Sequence, residues 1–184
     1  MDEEPTNSGY LDIMKTIVVG FSRPTVPTWF ARAIMWVDNT PYDHVYIKWN
    51  WKGIDRDIIY QASKLAVNFE SNLTFNSHAL TIEEYEINIS DDCHKAIMQF
   101  CMDNSNKPYG IKEIFGFAWV KICKKAGYAV HNPFPTHGSS YVCSKLAADI
   151  LAMTGKIAIG SSPDDIDPLD LNNIVKAAGL KRLV

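Results

Sequence analysis

Alternating apolar and polar residues dominate the first half of the chain and predict strands. Such runs, rich in β-branched and aromatic residues, occur at positions 16–21, 44–49, 57–63 and 85–89. A turn at 51–57 separates the second run from the third, so we expect these two strands to pair as an antiparallel hairpin. The pattern between 65 and 80 is less regular and indicates short strands, and 156–159 has the composition of one more.

Apolar residues recur at helical spacing in four longer segments. These segments lie at 28–37, 90–102, 111–125 and 142–151, and a last short helical region follows Ser161. Ser90 is a suitable N-cap, and glycines at 127 and 155 follow the third and fourth segments as helix stops. Most of the predicted strands lie in the first half of the chain and most of the helices in the second half. This separation predicts an α+β fold, in which a small antiparallel sheet packs against helices.

The composition is that of one globular domain and excludes several classes of protein. The 184 residues are 47% hydrophobic and 21% charged, which suffices for one substantial core. A net charge of −3 offers no electrostatic basis for binding nucleic acid. Apolar stretches are too short and interrupted for a transmembrane segment, and the acidic N-terminus is the opposite of a signal peptide. We therefore expect a cytoplasmic protein with a loose tail at 1–9 and one domain at 10–184.

The four cysteines are not arranged for disulfide or metal chemistry. No Cys-x-x-Cys pair occurs, and no combination of histidine and cysteine has the spacing of a zinc site. We therefore expect free thiols in a reducing compartment, with neither a metal nor another cofactor. Cys93, Cys101 and Cys123 lie in helical patterns, so structural roles are expected for them.

Cys143 differs from the other three because it lies in the first turn of its predicted helix. Small loop residues at 138–140 precede it, and the unpaired N–H groups of a helix start favour a thiolate. Because the thiolate is the reactive form of cysteine, Cys143 is a candidate nucleophile. The competing interpretation is structural, because Cys143 shares a helix face with Ala147 and Ile150 and free cysteines are often buried.

Two polar residues of the predicted hairpin are candidates to act with Cys143. His44 begins its strand at the rim of the sheet, where a helix N-terminus packed on that sheet can meet it. Gln61, on the next strand, can accept the imidazole N–H and so fix the tautomer. Each residue also has an ordinary interpretation, as a satisfied surface histidine or a solvent-facing strand residue. His137, in the loop before Cys143, competes with His44 as the base.

Three short motifs resemble the core of NlpC-type cysteine peptidases. They are Asp-His-Val-Tyr-Ile at 43–47, Tyr-Gln-Ala-Ser at 60–63 and Cys-Ser-Lys-Leu at 143–146. In that family the cysteine precedes the histidine, whereas here the histidine motif comes first. This order is similar to the circularly permuted branch of the papain-like superfamily. The branch includes YiiX-like proteins and, more distantly, lecithin:retinol acyltransferase-like enzymes, so the resemblance implies a circularly permuted papain-like fold.

The resemblance also implies roles for individual residues. In this pattern Cys143 is the nucleophile, His44 the base and Gln61 the polar residue that orients the base. The Lys-Pro-Tyr-Gly segment at 107–110 resembles a Pro-Tyr element that lies upstream of the family's cysteine. The residues to which a supporting or substrate-binding role is assigned are Tyr46, Tyr109 and Ser144.

The chain departs from the family pattern at three positions. Val142 replaces the usual aspartate before the cysteine, Lys145 replaces a common glycine, and Gln61 replaces the more common histidine. These departures affect the expected substrate more than the fold, because the nucleophile and the base are retained.

The activity implied is hydrolysis of an amide bond through an acyl-enzyme, in a peptide or a peptidoglycan stem peptide. A phage- or virus-encoded protein fits the expected lack of a signal peptide, in the host cytoplasm or in a virion with an assembly partner. Two alternatives stay open. One is a lipid acyltransferase or thioesterase with the same cysteine and histidine, although the Asn-Cys-Glu-His-type motif of that family is absent. The other is a non-catalytic structural or interaction module.

Overall fold

The computed structural model describes residues 15–51, 56–63, 66–128, 130–131, 133–134, 139–160 and 163–184. The tail expected at 1–9 and the alternative base His137 lie outside these residues. The strands are β1 (Lys15–Pro24), β2 (His44–Trp51), β3 (Arg56–Ser63), β4 (Ala66–Ser71), β5 (Ala79–Ile89) and β6 (Lys181–Arg182). The helices are α1 (Trp29–Asp38), α2 (Asn72–His78), α3 (Asp91–Asn104), α4 (Ile111–Lys125), α5 (Cys143–Met153) and α6 (Pro168–Ala177).

The six strands form one sheet in the order β4-β3-β2-β1-β5-β6, and each of these neighbouring pairs is antiparallel. β2 and β3 form the expected hairpin, in which Ile47 lies opposite Tyr60. The predicted α+β class, with an antiparallel sheet against helices, is therefore confirmed. None of the described helices combines the length and the apolar composition needed to cross a membrane.

Two segments differ from their predictions. Residues 65–80 contain β4 and then helix α2, which is seven residues long and buries Phe75. A helix with so little buried apolar surface has too weak a period to be recognised in the sequence. The strand expected at 156–159 is not formed: these residues leave α5 in irregular backbone and pair with none of the described strands.

Two apolar clusters cover opposite faces of the sheet. The larger cluster packs the sheet against α3, α5 and α6, and it includes Val45, Ile47 and Leu146. The smaller cluster, beneath α2, consists of Tyr46, Ile59, Phe75 and Ala79. Side chains alternate along a strand, so Val45 faces the larger cluster while its neighbour Tyr46 faces the smaller.

Helix α5 is buried along almost its whole length. Its side chains at positions 143–148, 150 and 151 are removed from solvent. A helix surrounded on all sides by other elements belongs to the interior of a domain. The nucleophile candidate at its first position is therefore placed by the packing of the whole helix.

The start of α5 is held by backbone contacts instead of a side-chain cap. Val142 is the N-cap residue, and its side chain makes no capping hydrogen bond. Just before it, the N–H of Gly110 donates to the carbonyl of Tyr141 at 3.0 Å, and the N–H of Tyr141 donates to the carbonyl of Pro108 at 3.1 Å. These bonds bring the segment that carries Tyr109 next to the start of α5.

Candidate active site

His44 is the first residue of β2. Its Nε2 lies 2.7 Å from the side-chain oxygen Oε1 of Gln61 on β3, so the contact expected from the sequence is formed. An amide oxygen only accepts hydrogen bonds, which means that Nε2 carries the hydrogen and Nδ1 keeps its lone pair. Nδ1 is therefore the nitrogen of His44 that is free to take a proton.

Gln61 is itself held by a residue that the sequence did not indicate. Its amide nitrogen Nε2 donates to Oε2 of Glu70 on β4 at 2.7 Å. The other oxygen of Glu70, Oε1, lies 2.9 Å from Nε2 of His78 at the end of α2. No sequence motif marks Glu70, because it lies within the irregular segment at 65–80, where neither strand register nor strand order was predictable.

Burial dominates the electrostatics of Cys143 and raises the pKa of its thiol to about 11. Only 5% of the residue is exposed. The backbone N–H groups of Val45, Ser144 and Cys143 itself oppose this effect, because hydrogen-bond donors favour the thiolate. Val45 directly follows His44, so the sulfur faces the part of β2 that carries the base.

The expectation that Cys143 is a thiolate in the resting site is therefore wrong, because its raised pKa keeps the thiol protonated. The N–H groups of the helix start act on the sulfur in the predicted direction, but the loss of hydration in the interior outweighs them. The sequence cannot weigh these two effects, because the depth of Cys143 depends on how α5 packs. A neutral thiol needs a base at the moment of reaction, which is the role assigned to His44.

Asp43 places a carboxyl group beside both His44 and Cys143. Burial raises the pKa of Asp43, and the neighbouring His44 opposes that effect. The charge of Asp43 adds to burial in raising the pKa of Cys143. Cys143 thus interacts with both residues that flank His44, Asp43 through its charge and Val45 through its N–H. Oδ1 of Asp43 is buried and has no hydrogen-bond partner among the described residues.

Tyr109 lies beside Cys143 and His44. Burial raises the pKa of its hydroxyl far above the ordinary value, and the neighbouring Cys143 and Asp43 add to this effect. Tyr109 also lines the same cavity as His44 and Gln61. Its phenol therefore stays protonated and is available as a hydrogen-bond donor within the site.

Ser144 and Tyr46 direct their hydroxyl groups away from His44. The hydroxyl of Ser144 donates to the carbonyl of Ile166 at 2.6 Å and ties α5 to the segment before α6. The hydroxyl of Tyr46 donates to Glu84 at 2.7 Å, while its ring packs against Phe75, with ring centroids 4.7 Å apart. Ser144 thus contributes its backbone N–H, and Tyr46 supports the cavity wall through Phe75.

Cys143 interacts with Asp43 and Val45, the two residues that flank His44 along the chain, but its sulfur is not joined to the imidazole. Among the described residues, no hydrogen bond links the sulfur to the imidazole, and Cys143 is not one of the residues that line the cavity beside His44. Catalytic hydrogen bonds are often long without substrate and tighten in the complex. Thiol catalysis by this pair would require the sulfur and Nδ1 to come into contact after substrate binds.

A cavity of about 690 Å³ opens beside His44 and Gln61. Its walls come from α1, α4 and the region around α2, and the surface that these walls present to the cavity is mainly apolar. At its mouth, Val26 and Trp29 are 81% and 77% exposed. Arg23 also lines the cavity and forms no ion pair with a described residue. The cavity is thus large enough for part of an organic substrate and leads to the imidazole.

The described residues contain no group of three or more histidine, cysteine, aspartate or glutamate side chains arranged to hold a metal ion.

We expect the acid limb of activity to lie below pH 6.5. Burial lowers the pKa of His44 from its ordinary value of 6.5, and the contact with Gln61 and the charges of Asp43 and Glu70 offset only part of this effect. His44 must be neutral to act as a base, so kcat/KM rises with pH through the lowered pKa and has levelled off at about pH 7. A profile of kcat/KM against pH measures this limb. A neutral thiol also predicts no inflection from Cys143 below pH about 11; an acid limb from a low-pKa thiolate would contradict it.

No model of a known protein family matches the chain, and no curated protein sequence is significantly similar to it.

Proposed function

We propose that the chain is a cysteine hydrolase with a circularly permuted papain-like fold, which cleaves an amide bond through an acyl-enzyme. The observation that carries this proposal is the 2.7 Å contact between His44 and Gln61, on the strands packed against the helix that begins at Cys143. A base whose tautomer is set by a polar partner, next to a cysteine at a helix start, is the arrangement that thiol catalysis needs.

In the proposed reaction, Nδ1 of His44 takes the proton of the Cys143 thiol while the sulfur attacks the substrate carbonyl. The N–H groups at the start of α5 stabilise the negative oxygen that develops. The imidazolium then protonates the leaving amine, the carbon–nitrogen bond breaks, and a thioester to Cys143 remains. Water, deprotonated by His44, hydrolyses the thioester and restores the free thiol.

A peptide or a peptidoglycan stem peptide is the proposed substrate, following the resemblance of the motifs around His44 and Cys143. The order His44, Gln61, Cys143 along the chain supports the permuted arrangement. A phage- or virus-encoded protein that acts in the host cytoplasm, or within a virion beside an assembly partner, is the proposed setting.

A second candidate function is acyl transfer or hydrolysis on a lipid ester or thioester by the same residues. The apolar cavity favours it, because its lining and its exposed mouth residues Val26 and Trp29 suit an alkyl chain. In that reaction the leaving group is an alcohol or a thiol, and the acyl-enzyme is a fatty thioester.

The two candidate functions are separated by the acyl group that Cys143 accepts. We expect an activated ester of a short peptide to add one peptidyl group to the protein, detected by intact mass and removed by hydroxylamine. A long-chain fatty acyl thioester should react more slowly, and Cys143→Ala should show neither adduct. Faster acylation by the fatty thioester would favour the lipid candidate. Absence of both adducts on the wild type would leave a non-catalytic module as the function.

A further inference from the structure

Four side chains form one continuous chain of hydrogen bonds across β2, β3, β4 and the end of α2. His44 contacts Gln61 at 2.7 Å, Gln61 contacts Glu70 at 2.7 Å, and Glu70 contacts His78 at 2.9 Å. Gln61 is buried at 3% exposure, and the side chain of Glu70 is only 15% exposed. The chain thus begins at the proposed base and ends at a half-exposed imidazole.

The carboxylate of Glu70 determines which way the amide of Gln61 faces. An isolated glutamine can present either its oxygen or its nitrogen to an imidazole, since the two ends have almost the same shape. A carboxylate only accepts hydrogen bonds, so the nitrogen of Gln61 must face Glu70. The oxygen of Gln61 then has to face His44, which is the arrangement present.

The direction of the amide in turn sets the tautomer of His44. An oxygen opposite Nε2 requires a hydrogen on Nε2 and leaves Nδ1 unprotonated. With the amide reversed, Nε2 would accept from the amide nitrogen, and the neutral imidazole would carry its hydrogen on Nδ1. In that form Nδ1 cannot take the proton of a thiol.

We propose that Glu70 is a positioning residue that keeps Nδ1 of His44 free to act as the base. The inference rests on the proposed function for its consequence in catalysis, but the tautomer itself is a property of the folded protein. Glu70 touches neither Cys143 nor the proposed reacting atoms. Its charge also raises the pKa of His44 through space, but it sets the tautomer through the amide of Gln61.

The far end of the chain holds Glu70 in place. His78 contacts the second oxygen of Glu70, and the backbone carbonyl of His78 accepts from the N–H of Thr25 at 3.0 Å and from the Thr25 hydroxyl at 3.2 Å. A partly exposed contact such as that between His78 and Glu70 contributes little to stability. Its effect is to hold both oxygens of Glu70 in place, so that one of them faces Gln61.

The decisive variant reverses the hydrogen-bonding character of residue 70. Glu70→Lys places a donor opposite Gln61, which turns the amide so that its nitrogen faces His44. We expect ¹⁵N NMR of the His44 imidazole to show hydrogen on Nε2 in the wild type and on Nδ1 in Glu70→Lys. We expect kcat to fall on the order of 10²-fold, with KM changed little, because the base is blocked and the cavity is not.

Three further variants keep the test decisive. Glu70→Gln keeps the size of the side chain but offers Gln61 either an oxygen or a nitrogen, so a mixture of tautomers and a partial loss of kcat are expected. Glu70→Ala removes the acceptor without placing a donor there, and should give a mixture of tautomers if Glu70→Lys does not fold. Glu86→Lys makes the same charge change on β5, where Oε1 of Glu86 lies 3.5 Å from Nζ of exposed Lys181, and should leave the His44 signals unchanged.

An unchanged His44 tautomer in folded Glu70→Lys or Glu70→Ala would overturn the positioning role, whatever the activity. Equal losses of kcat in Glu70→Lys and Glu86→Lys would overturn it as well, since a general charge effect would then suffice. A wild type with the Nε2–H tautomer but no turnover on any acyl substrate would instead refute the proposed function and leave the positioning of His44 intact.

Discussion

Cys143→Ala is expected to abolish turnover while the protein remains folded. Alanine cannot form an acyl-enzyme, so the rate should fall by on the order of 10⁴-fold or more, to the detection limit. The loss of the buried sulfur should lower the free energy of unfolding by only about 1 kcal/mol. Activity on an amide substrate and chemical denaturation of the same preparation measure the two effects.

Cys101→Ala is the matched control for this variant. Cys101 is a free cysteine buried at 0% exposure in the larger apolar cluster, on α3 and not among the residues that line the cavity. The same substitution there should lower stability by a similar amount and leave kcat unchanged. A Cys143→Ala protein that unfolds while the wild type shows no activity would support a structural role for Cys143. Wild-type activity in folded Cys143→Ala would remove the thiol from the mechanism.

His44→Ala is expected to reduce kcat by on the order of 10²-fold or more, because the proton of the thiol then has no acceptor in the site. The resting thiol has a pKa of about 11, so almost none of it ionises unaided near neutral pH. Steady-state kinetics at pH 7 measure the loss, which should diminish as the pH is raised and hydroxide begins to ionise Cys143.

Two controls separate a missing base from a disturbed fold. Imidazole added to His44→Ala should restore part of the rate, since it can occupy the space left beside Gln61 and the cavity. His94→Ala removes another partly buried histidine, on α3, and should leave kcat unchanged. Normal kcat in His44→Ala would exclude His44 as the base and leave His137 as the candidate for that role. Loss of kcat without rescue, together with loss of folding, would assign His44 a structural role.

A neutral thiol and a neutral imidazole define how this site would work. Burial raises the pKa of Cys143 and lowers that of His44, so both effects oppose a resting ion pair. Proton transfer then accompanies attack on the substrate and does not precede it. The resting protein should therefore react slowly with simple alkylating agents at mildly acidic pH, whereas substrate-like acyl donors that bring the two side chains together should react faster.

The local pattern of the sequence was sufficient for most of the secondary structure. Residues 111–125 form α4 with the predicted limits, and the run at 16–21 lies within β1. Apolar residues recur in these segments with a strong period. Such a period predicts the type of element in any fold that buries one of its faces. Within 65–80 the expected short strand is present as β4, and helix α2 was missed. This miss and the wrong strand at 156–159 fall where the apolar period is weak and where the outcome depends on whether a partner strand is present.

The contact between His44 and Gln61 could also be predicted, because a hairpin is a local structure. Two strands joined by a short turn have few possible registers, so residues near their open end are brought close together by the turn itself. The approach of Cys143 to this hairpin spans about half the chain. It was implied by a resemblance of motifs and could not be derived from spacing.

By itself, the sequence determined the α+β class, the hairpin with His44 and Gln61, and the position of Cys143 at a helix start. Only the tertiary structure decided that Glu70 faces Gln61, that an apolar cavity opens beside His44, and that the pKa of Cys143 is raised. The physical reason is the same in each case. Hydrogen-bond direction between distant strands and the hydration of a buried thiol depend on which segments meet and how deeply they bury one another, and neither is encoded in local periodicity.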